Sequence, residues 1–376
     1  MRLNLIIDAS SIFYRTLFTV GNFETKKGAK LLDSKKSQGV FMRKLATDFS
    51  SLVRNIEEPC RVIVCLDSSS WRKSIVIDEG GYKEDRKKDE SSINWKAFFD
   101  LTENFSRILS QKGYIISKIS GAEADDLLYL WSKKLNEESE NCILITGDRD
   151  LLQVLGKREN GSWTIALDPV LNRKKISLTQ ETFSYSDSSN HMANIFDPGS
   201  WNSSSDVLNK IIKSHEINIV DPLKIQTMKV VLGDHGDSVP SVITWKDKKD
   251  PEKIRLMTEN NFGKILAAAP ELSNSTWEDL YEGSFVEEIS SVMEKLKKIE
   301  VDREKVKNNL KRNCQLVILS DKTIPKQIID IFHQEHLTVP DVIAVSSRDA
   351  ILNGSEWWTS EASSFVPSSF DLFGGE

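Results

Sequence analysis

The sequence predicts an α/β protein: a mostly parallel central sheet flanked by helices, followed by a helical C-terminal domain and a flexible tail. Three observations predict it. Short, β-branched, nearly unbroken apolar runs recur in the N-terminal half, segments of helical period separate them, and helical patterns dominate later in the chain. Strands covered on both faces read as continuous apolar runs, and their alternation with helices marks parallel crossovers. At 376 residues the chain exceeds what one core usually serves, so more than one domain is expected.

The first strand is "LNLIID", Leu3 to Asp8. Its apolar part is too short for a secretory leader, and no small-residue cleavage site follows. A helical segment from about Gln38 to Ile56 leads to "RVIVCLD", Arg61 to Asp67, and a second, Ile93 to Gln111, to "YIISKI", Tyr114 to Ile119. A third, Ala122 to Leu135, leads to "CILITGD", Cys142 to Asp148. "GSWTIALDPVLNRKKISL", Gly161 to Leu178, is expected to be a hairpin closing a domain of residues 1–183. The Ser- and Asn-rich stretch from Ser184 to Asp206 is expected to be a surface excursion. Residues 184–336 form the expected helical domain, with "DPLKIQTMKVVLGD", "FVEEISSVMEKLKKIE" and "IPKQIIDIFHQEHL" as its clearest segments. Residues 337–376 are Ser-rich and weakly patterned, as expected of a tail.

Composition removes several classes. No apolar run approaches the roughly 20 residues of a membrane span, so no membrane partner and a cytoplasmic location are expected. The four cysteines lack C-x-x-C spacing and two sit in apolar runs, which argues against zinc and disulfides. A net charge of −6 argues against a nucleic-acid partner until the charges are seen to be clustered.

The acidic cluster is the main functional signal. Asp8, Asp67 and Asp148 each end a strand, and Asp150 follows two residues later. Parallel sheets bind ligands at the carboxyl ends of their strands, so these side chains should converge. "GAEADDLLYLW", Gly121 to Trp131, adds Glu123, Asp125 and Asp126 at the start of a helix whose next residues are apolar. Acids at a helix start meet the macrodipole, and one would suffice for that. So many anions beside a core require cations, and all-oxygen ligation selects Mg2+, with Mn2+ as a substitute, over zinc. The expectation is a two-metal site for phosphodiester hydrolysis. "VVLGDHGDSVPSV", Val230 to Val242, alone a polar turn, adds Asp234 and Asp237 as further ligand candidates.

"IIDAS", "CLDSS", "GAEADD", "ITGDRDLLQVL" and "LGDHGDSVPSV" together resemble, in order and spacing, the motifs of the 5′ nuclease family of flap endonucleases and polymerase-linked 5′ nucleases. The resemblance covers about residues 1–336 and implies a PIN-like nuclease core. It implies a magnesium-dependent 5′-3′ exonuclease and flap endonuclease with RNase H activity, acting on RNA primers and DNA flaps in phage-type replication in the host cytoplasm. Asp8, Asp67, Glu123, Asp125 and Asp126 match the ligands of the first metal position, and Asp148, Asp150, Asp234 and Asp237 those of the second. The Lys- and Arg-rich segment 69–92 matches the family's arch or bridge, in which Arg72 and Lys83 match the catalytic cations. Arg86, Lys87 and Lys88 would guide a strand, and Tyr82 would stack on a base.

Arg173, Lys174 and Lys175, with Lys246, Lys248 and Lys249, are candidate contacts to duplex phosphates. The glycine-rich hairpin found in many relatives is missing from "SVITWKDKKDPEKIRL", so the resemblance does not carry over a potassium site. Near the C-terminus, Phe370, Leu372 and Phe373 resemble the peptides by which phage replication proteins bind a sliding clamp. A single-stranded DNA-binding protein is a further expected partner. Two other functions fit parts of this pattern: a PIN-like endoribonuclease, and a DNA-binding replication accessory without catalysis. The long basic segment and helical C-terminal half weigh against the first, and the full acidic set against the second.

Overall fold

The computed structural model describes residues 2–24, 30–54, 60–75, 77, 81–84, 92–171, 182–183, 191–196, 216–247, 249–250, 252–341, 344–345 and 347–357. In chain order the first elements are β1 (Leu3–Asp8), α1 (Ala9–Glu24), α2 (Lys35–Arg54), β2 (Arg61–Cys65), α3 (Trp95–Gln111), β3 (Ile115–Ser117), α4 (Ala124–Glu137) and β4 (Asn141–Ile145). The short β5 (Gly156–Lys157), β6 (Trp163–Leu171), β7 (Thr182–Phe183), β8 (His191–Phe196) and β9 (Glu216–Val220) follow.

These strands form one sheet in the order β3-β2-β1-β4-β6-β8-β9-β7. From β3 through β6 every pairing is parallel, and every residue of β1, β2 and β4 is buried, as expected of strands covered on both faces. The chain starts at β1, steps to β2 and β3 on one side, and returns through α4 to β4 on the other. The strand order therefore reverses between β1 and β4, which opens a crevice beyond their carboxyl ends.

Several expectations are corrected here. Helix α1 is not among the segments the sequence predicts, although Ile12, Phe13, Leu17 and Val20 recur at helical spacing and are buried. Of the hairpin expected at Gly161 to Leu178, residues 163–171 are one strand, β6, whose antiparallel partners are β5 before it and β8 after it, and residues 172–178 lie outside the described residues. Strand β8 falls inside the expected surface excursion, yet its Ala193, Ile195 and Phe196 are buried and it pairs in parallel with β9. Its apolar run is short and set among Ser and Asn, which hid it.

The helical part comprises α5 (Pro222–Leu232), α6 (Glu259–Ala268), α7 (Trp277–Glu282), α8 (Val286–Lys297) and α9 (Arg303–Val317). Asp221 caps α5 by accepting from the Lys224 N–H, and Pro222 follows at the first helical position, where its missing N–H costs nothing. Between α5 and α6 lies the antiparallel pair β10 (Thr244–Lys246) and β11 (Ile254–Leu256), so "SVITWKDKKDPEKIRL" forms a small hairpin within the expected helical stretch. Val230, Val231, Ile243, Phe262, Ile265, Ile289, Met293 and Leu310 build a second hydrophobic cluster, separate from that of the sheet.

The chain then returns to the first cluster. Helices α10 (Lys326–Glu335) and α11 (Arg348–Leu352) place Ile328, Phe332, Ile351 and Leu352 in the sheet's core, and Trp357 is buried there too. Phe332 packs edge-on against Trp131 of α4, with ring centroids 5.2 Å apart, and Arg43 of α2 donates to the Trp357 carbonyl at 3.2 Å. Residues 344–357 are thus not a weakly structured tail wherever they are described. Phe370, Leu372 and Phe373 lie outside the described residues. Among the described residues no helix is long and apolar enough to cross a membrane, and all four cysteines are buried and free.

His336 follows α10 and lies 4.5 Å from the Trp131 ring and 5.1 Å from Phe332, with Nε2 3.1 Å from Ser117 Oγ. Burial, then Lys134, pulls its pKa down to about 4. An unfolded histidine takes a proton near pH ~6.5, so between that pH and about 4 the unfolded chain binds more protons than the folded one. This contribution to stability is complete above the unfolded pKa and is lost as pH falls through that window. His336→Gln is expected to flatten the pH dependence of the urea midpoint there, and an unaltered slope refutes this assignment.

Candidate active site

The crevice at the β1–β4 switch point is built by strand ends and one helix start. Asp8 closes β1, where its Oδ1 accepts from the Ser11 N–H at 3.1 Å and its Oδ2 from Thr146 Oγ1 at 3.2 Å. Asp67 lies two residues past β2 and accepts from the Ala124 N–H at 2.8 Å, so it satisfies an orphan donor at the start of α4. This bond seats the first turn of α4, with Glu123, Asp125 and Asp126, at the carboxyl edge of the sheet. Asp148 and Asp150 come from the 3-10 turn after β4, where Asp148 Oδ1 accepts from the Asp150 N–H at 2.8 Å.

Asp126 is fully buried, and its carboxylate is saturated. Arg72 Nη2 donates to Oδ1 at 2.8 Å, and Oδ2 accepts from Arg72 Nη1, Trp71 Nε1 and the Glu123 N–H, each at 3.1 Å. Arg72 is itself buried, donating also to Glu123 Oε2 at 3.0 Å and, through Nε, to the Leu316 carbonyl at 2.9 Å. The resemblance sets Arg72 against a phosphate; the fold sets it as a clamp between α4 and the last turn of α9. Gln153 makes a parallel link, donating to the Val317 carbonyl at 3.0 Å and accepting from the Leu319 N–H at 3.0 Å. Two carbonyls that a helix end leaves without intrahelical partners are thereby satisfied by side chains from the sheet's side.

The remaining acids come from the end of α5. Gly233 ends that helix at φ 71°, and a Cβ there would stand 2.3 Å from the Val239 carbonyl oxygen, so only glycine fits. Asp234 follows at once, and its Oδ1 accepts from the Gly236 N–H at 2.7 Å. Lys229 of α5 bridges Asp150 and Asp234. Lys83 pairs with Glu123 and lies 3.5 Å from Asp237, and the Tyr82 hydroxyl is 3.0 Å from Glu123 and 2.8 Å from Asp237. Tyr82 is buried in the second hydrophobic cluster rather than presented as a stacking platform. Glu123, Asp125, Asp150, Asp234 and Asp237 line one narrow cavity of about 10 Å3, close to the least that admits a water.

Electrostatics shows how closely the acids face one another. Burial, then Asp67 and Asp148, raises Asp8 to about 7. Burial and Asp148 likewise raise Asp150 to about 7, against the pull of Lys229. Asp125 is raised well above its usual range by burial and then by Asp148, Asp8, Asp67 and Asp150. Burial works the same way on Glu123 and Asp234, but Lys83 with Arg72 and Lys229 respectively overcome it and hold these carboxyls low.

Oxygen donors that repel each other in one crevice suit a hard divalent cation. Among the described residues, no three His, Cys, Asp or Glu side chains stand ready as a metal cage. Arg72, Lys83 and Lys229 pair with five of the acids, Glu123, Asp126, Asp150, Asp234 and Asp237.

Lys229 is not among the residues the sequence singles out, because "QTMKVVLGD" has the pattern of an ordinary helical run; its position one helical turn before Gly233 is the one local signal. Lys246 and Lys249 are exposed on the β10–β11 hairpin, while Arg86, Lys87, Lys88, Lys248, Arg173, Lys174 and Lys175 fall where no side chain is described.

Residues 3–184 match the N-terminal, resolvase-like domain of 5′-3′ exonucleases. A curated 5′-3′ exonuclease of Buchnera aphidicola subsp. Schizaphis graminum is 26% identical over 174 residues, 46% of this chain and 55% of that protein. The chain thus spans about half the length of this relative. Among solved structures, a bacteriophage T5 flap endonuclease in complex with DNA and metal ions is 15% identical, covering 89% of this chain and 98% of its own, at TM-score 0.47. The T5 5′-exonuclease with divalent metal ions (zinc) bound is 16% identical over the same shares at 0.46. The catalytic core of Rad2 in complex with DNA substrate is 14% identical, covering 99% and 92%, at 0.39.

The Arg72 clamp yields a stability test. Removing one partner of a buried pair leaves the other charge uncompensated and costs about 3–5 kcal/mol. Arg72→Met is expected to lose stability on that scale in urea unfolding, and Arg72→Met with Asp126→Asn to recover part of it. A loss near zero for the single variant contradicts the clamp.

Proposed function

The chain belongs, through residues 3–184, to the 5′-3′ exonuclease family, and on that premise we propose that it is a divalent-metal-dependent, structure-selective nuclease. In this reading it acts as a 5′-3′ exonuclease and flap endonuclease on RNA primers and DNA flaps, with RNase H activity, using two Mg2+ ions for which Mn2+ can substitute. Its α/β unit would be a PIN-like nuclease core. One observation carries the proposal: acids from two strand ends, a helix start and a turn converge at the switch point of a parallel sheet.

Asp8, Asp67, Glu123 and Asp125 would hold the first ion, and Asp148, Asp150, Asp234 and Asp237 the second. Asp126, matched to the first group by sequence, would support it from behind through Arg72. Bound there, divalent cations supply Lewis acidity for attack of water on a phosphodiester. The chain's own part is orientation: Thr146 fixes the Asp8 carboxylate, Ala124 N–H fixes that of Asp67, and Gly236 N–H fixes that of Asp234. Lys83, beside Glu123 and less buried than Arg72, would meet a phosphate. Lys246 and Lys249 would meet duplex phosphates. Clamp binding through Phe370, Leu372 and Phe373 and contact with a single-stranded DNA-binding protein complete the proposal.

The test is cleavage of a 5′-flap duplex, an RNA-primed duplex and single-stranded RNA, with Mg2+ or EDTA. Cutting of the first two only, abolished by EDTA, is expected. Asp148→Asn should lose cleavage while keeping its fold and substrate affinity; wild-type rates from it defeat the metal assignment. Lys83→Ala should lower single-turnover rate at saturating substrate far more than affinity, and a change in affinity alone makes Lys83 a guide.

A further inference from the structure

Lys229 stands where a cation belongs. Its ammonium lies between Asp150 of the turn after β4 and Asp234 just past α5, 2.5 Å from Asp234 Oδ2, and all three side chains are largely buried. The backbone is anchored at both acids. Asp150 donates its N–H to Asp148, and Asp234 follows Gly233, whose backbone packs too tightly on Val239 and Pro240 to admit any side chain. The Asp234 carboxylate is further pinned by the N–H groups of Gly236 at 2.7 Å and Asp237 at 3.3 Å. By contrast, Asp8 at the other end of the crevice is held by neutral donors, the Ser11 N–H and the Thr146 hydroxyl.

We infer that Lys229 is a tethered competitor of the divalent cation at the Asp150–Asp234 pair, setting how tightly that position binds metal. This rests on the metal-dependent reading above. An ammonium on a four-carbon stem is a compact point charge that can swing out on its own side chain, unlike the forked guanidinium of Arg72. Being attached to α5, it is always present at high effective concentration. A divalent ion at this pair must displace it, whereas one at Asp8 displaces no cation from that carboxylate. Lys229 therefore keeps the two acids together without metal and weakens metal binding at their position.

The experiment titrates Mn2+ into the full-length protein without DNA, reading free Mn2+ by electron paramagnetic resonance, for wild type, Lys229→Met and Lys229→Arg. Lys229→Met is expected to tighten one class of sites by about tenfold or more, within the usual range of coupled binding, and to leave the other class unchanged. Lys229→Arg, which keeps the charge in a fork that yields less readily, is expected to bind Mn2+ at that class no more tightly than wild type, and tighter binding overturns the inference. In EDTA, Lys229→Met should melt below wild type, and Mn2+ should raise its Tm by more. Unchanged or weaker Mn2+ binding by a folded Lys229→Met overturns the inference while leaving the metal-dependent reading intact. No Mn2+ binding by wild type overturns both. A second measurement needs no variant: mass-spectrometric acylation of wild-type Lys229 should speed up on adding Mn2+, relative to the other lysines. An unchanged or slower rate overturns the inference.

Discussion

Mutual repulsion among carboxylates gathered at one end of a parallel sheet is the constraint around which this molecule is organised. Asp8, Asp125 and Asp150 are all driven above their ordinary range by burial and by one another. Such a cluster needs counter-charge, and the chain supplies it from three separate places: Arg72 after β2, Lys83 beyond it, and Lys229 on α5. The helical part is joined to the sheet partly through these charges, alongside the packing of Ile225 on the sheet's core. Leu316 and Val317 accept from Arg72 and Gln153, and Asp234 and Asp237 face Lys229 and Lys83. Contacts that shape the crevice therefore also help to hold the two parts together.

Arg72 shows how a motif can be legible while its role is not. Its place in a basic segment beside Asp67 marks it as a site residue, and it does sit at the site. Only tertiary structure reveals that it lies beneath the crevice, bonded to a fully buried Asp126 and to a helix end more than two hundred residues away in sequence. Asp125 and Asp126 are adjacent in sequence and equal in chemistry, yet a helix turns them to different sides. One faces the other acids, and its neighbour faces the arginine.

The strands β1 to β4, the helices between them and the acids at their ends were readable because each is a local signal: an unbroken apolar run, a helical period, an acid at its close. Strand β8 was not readable, since its buried Ala193 and Ile195 lie among polar residues and its pairing with β6 and β9 is purely long-range. Helix α1 was lost because its apolar spacing follows directly on β1 with no break between them. The burial of Tyr82 is hidden for a related reason. A lone tyrosine among lysines suggests a surface, and nothing nearby announces the cluster of Val230 and Ile243 that encloses it.

The return of Ile328, Phe332, Ile351, Leu352 and Trp357 to the sheet's core makes the α/β unit discontinuous, with the second hydrophobic cluster inserted within it. Chains are made from the N-terminus, and domains generally fold in that order as they emerge. Here that order cannot be completed. When β1 to β9 have left the ribosome, Trp131 still lacks Phe332, and α2 still lacks the segment ending at Trp357. The sheet must wait, with one flank uncovered, while the whole inserted module is synthesised. Among the described residues, the last core residues to be translated then close the first core to be started, so the unit that carries the acidic crevice is completed only after the inserted module has been made.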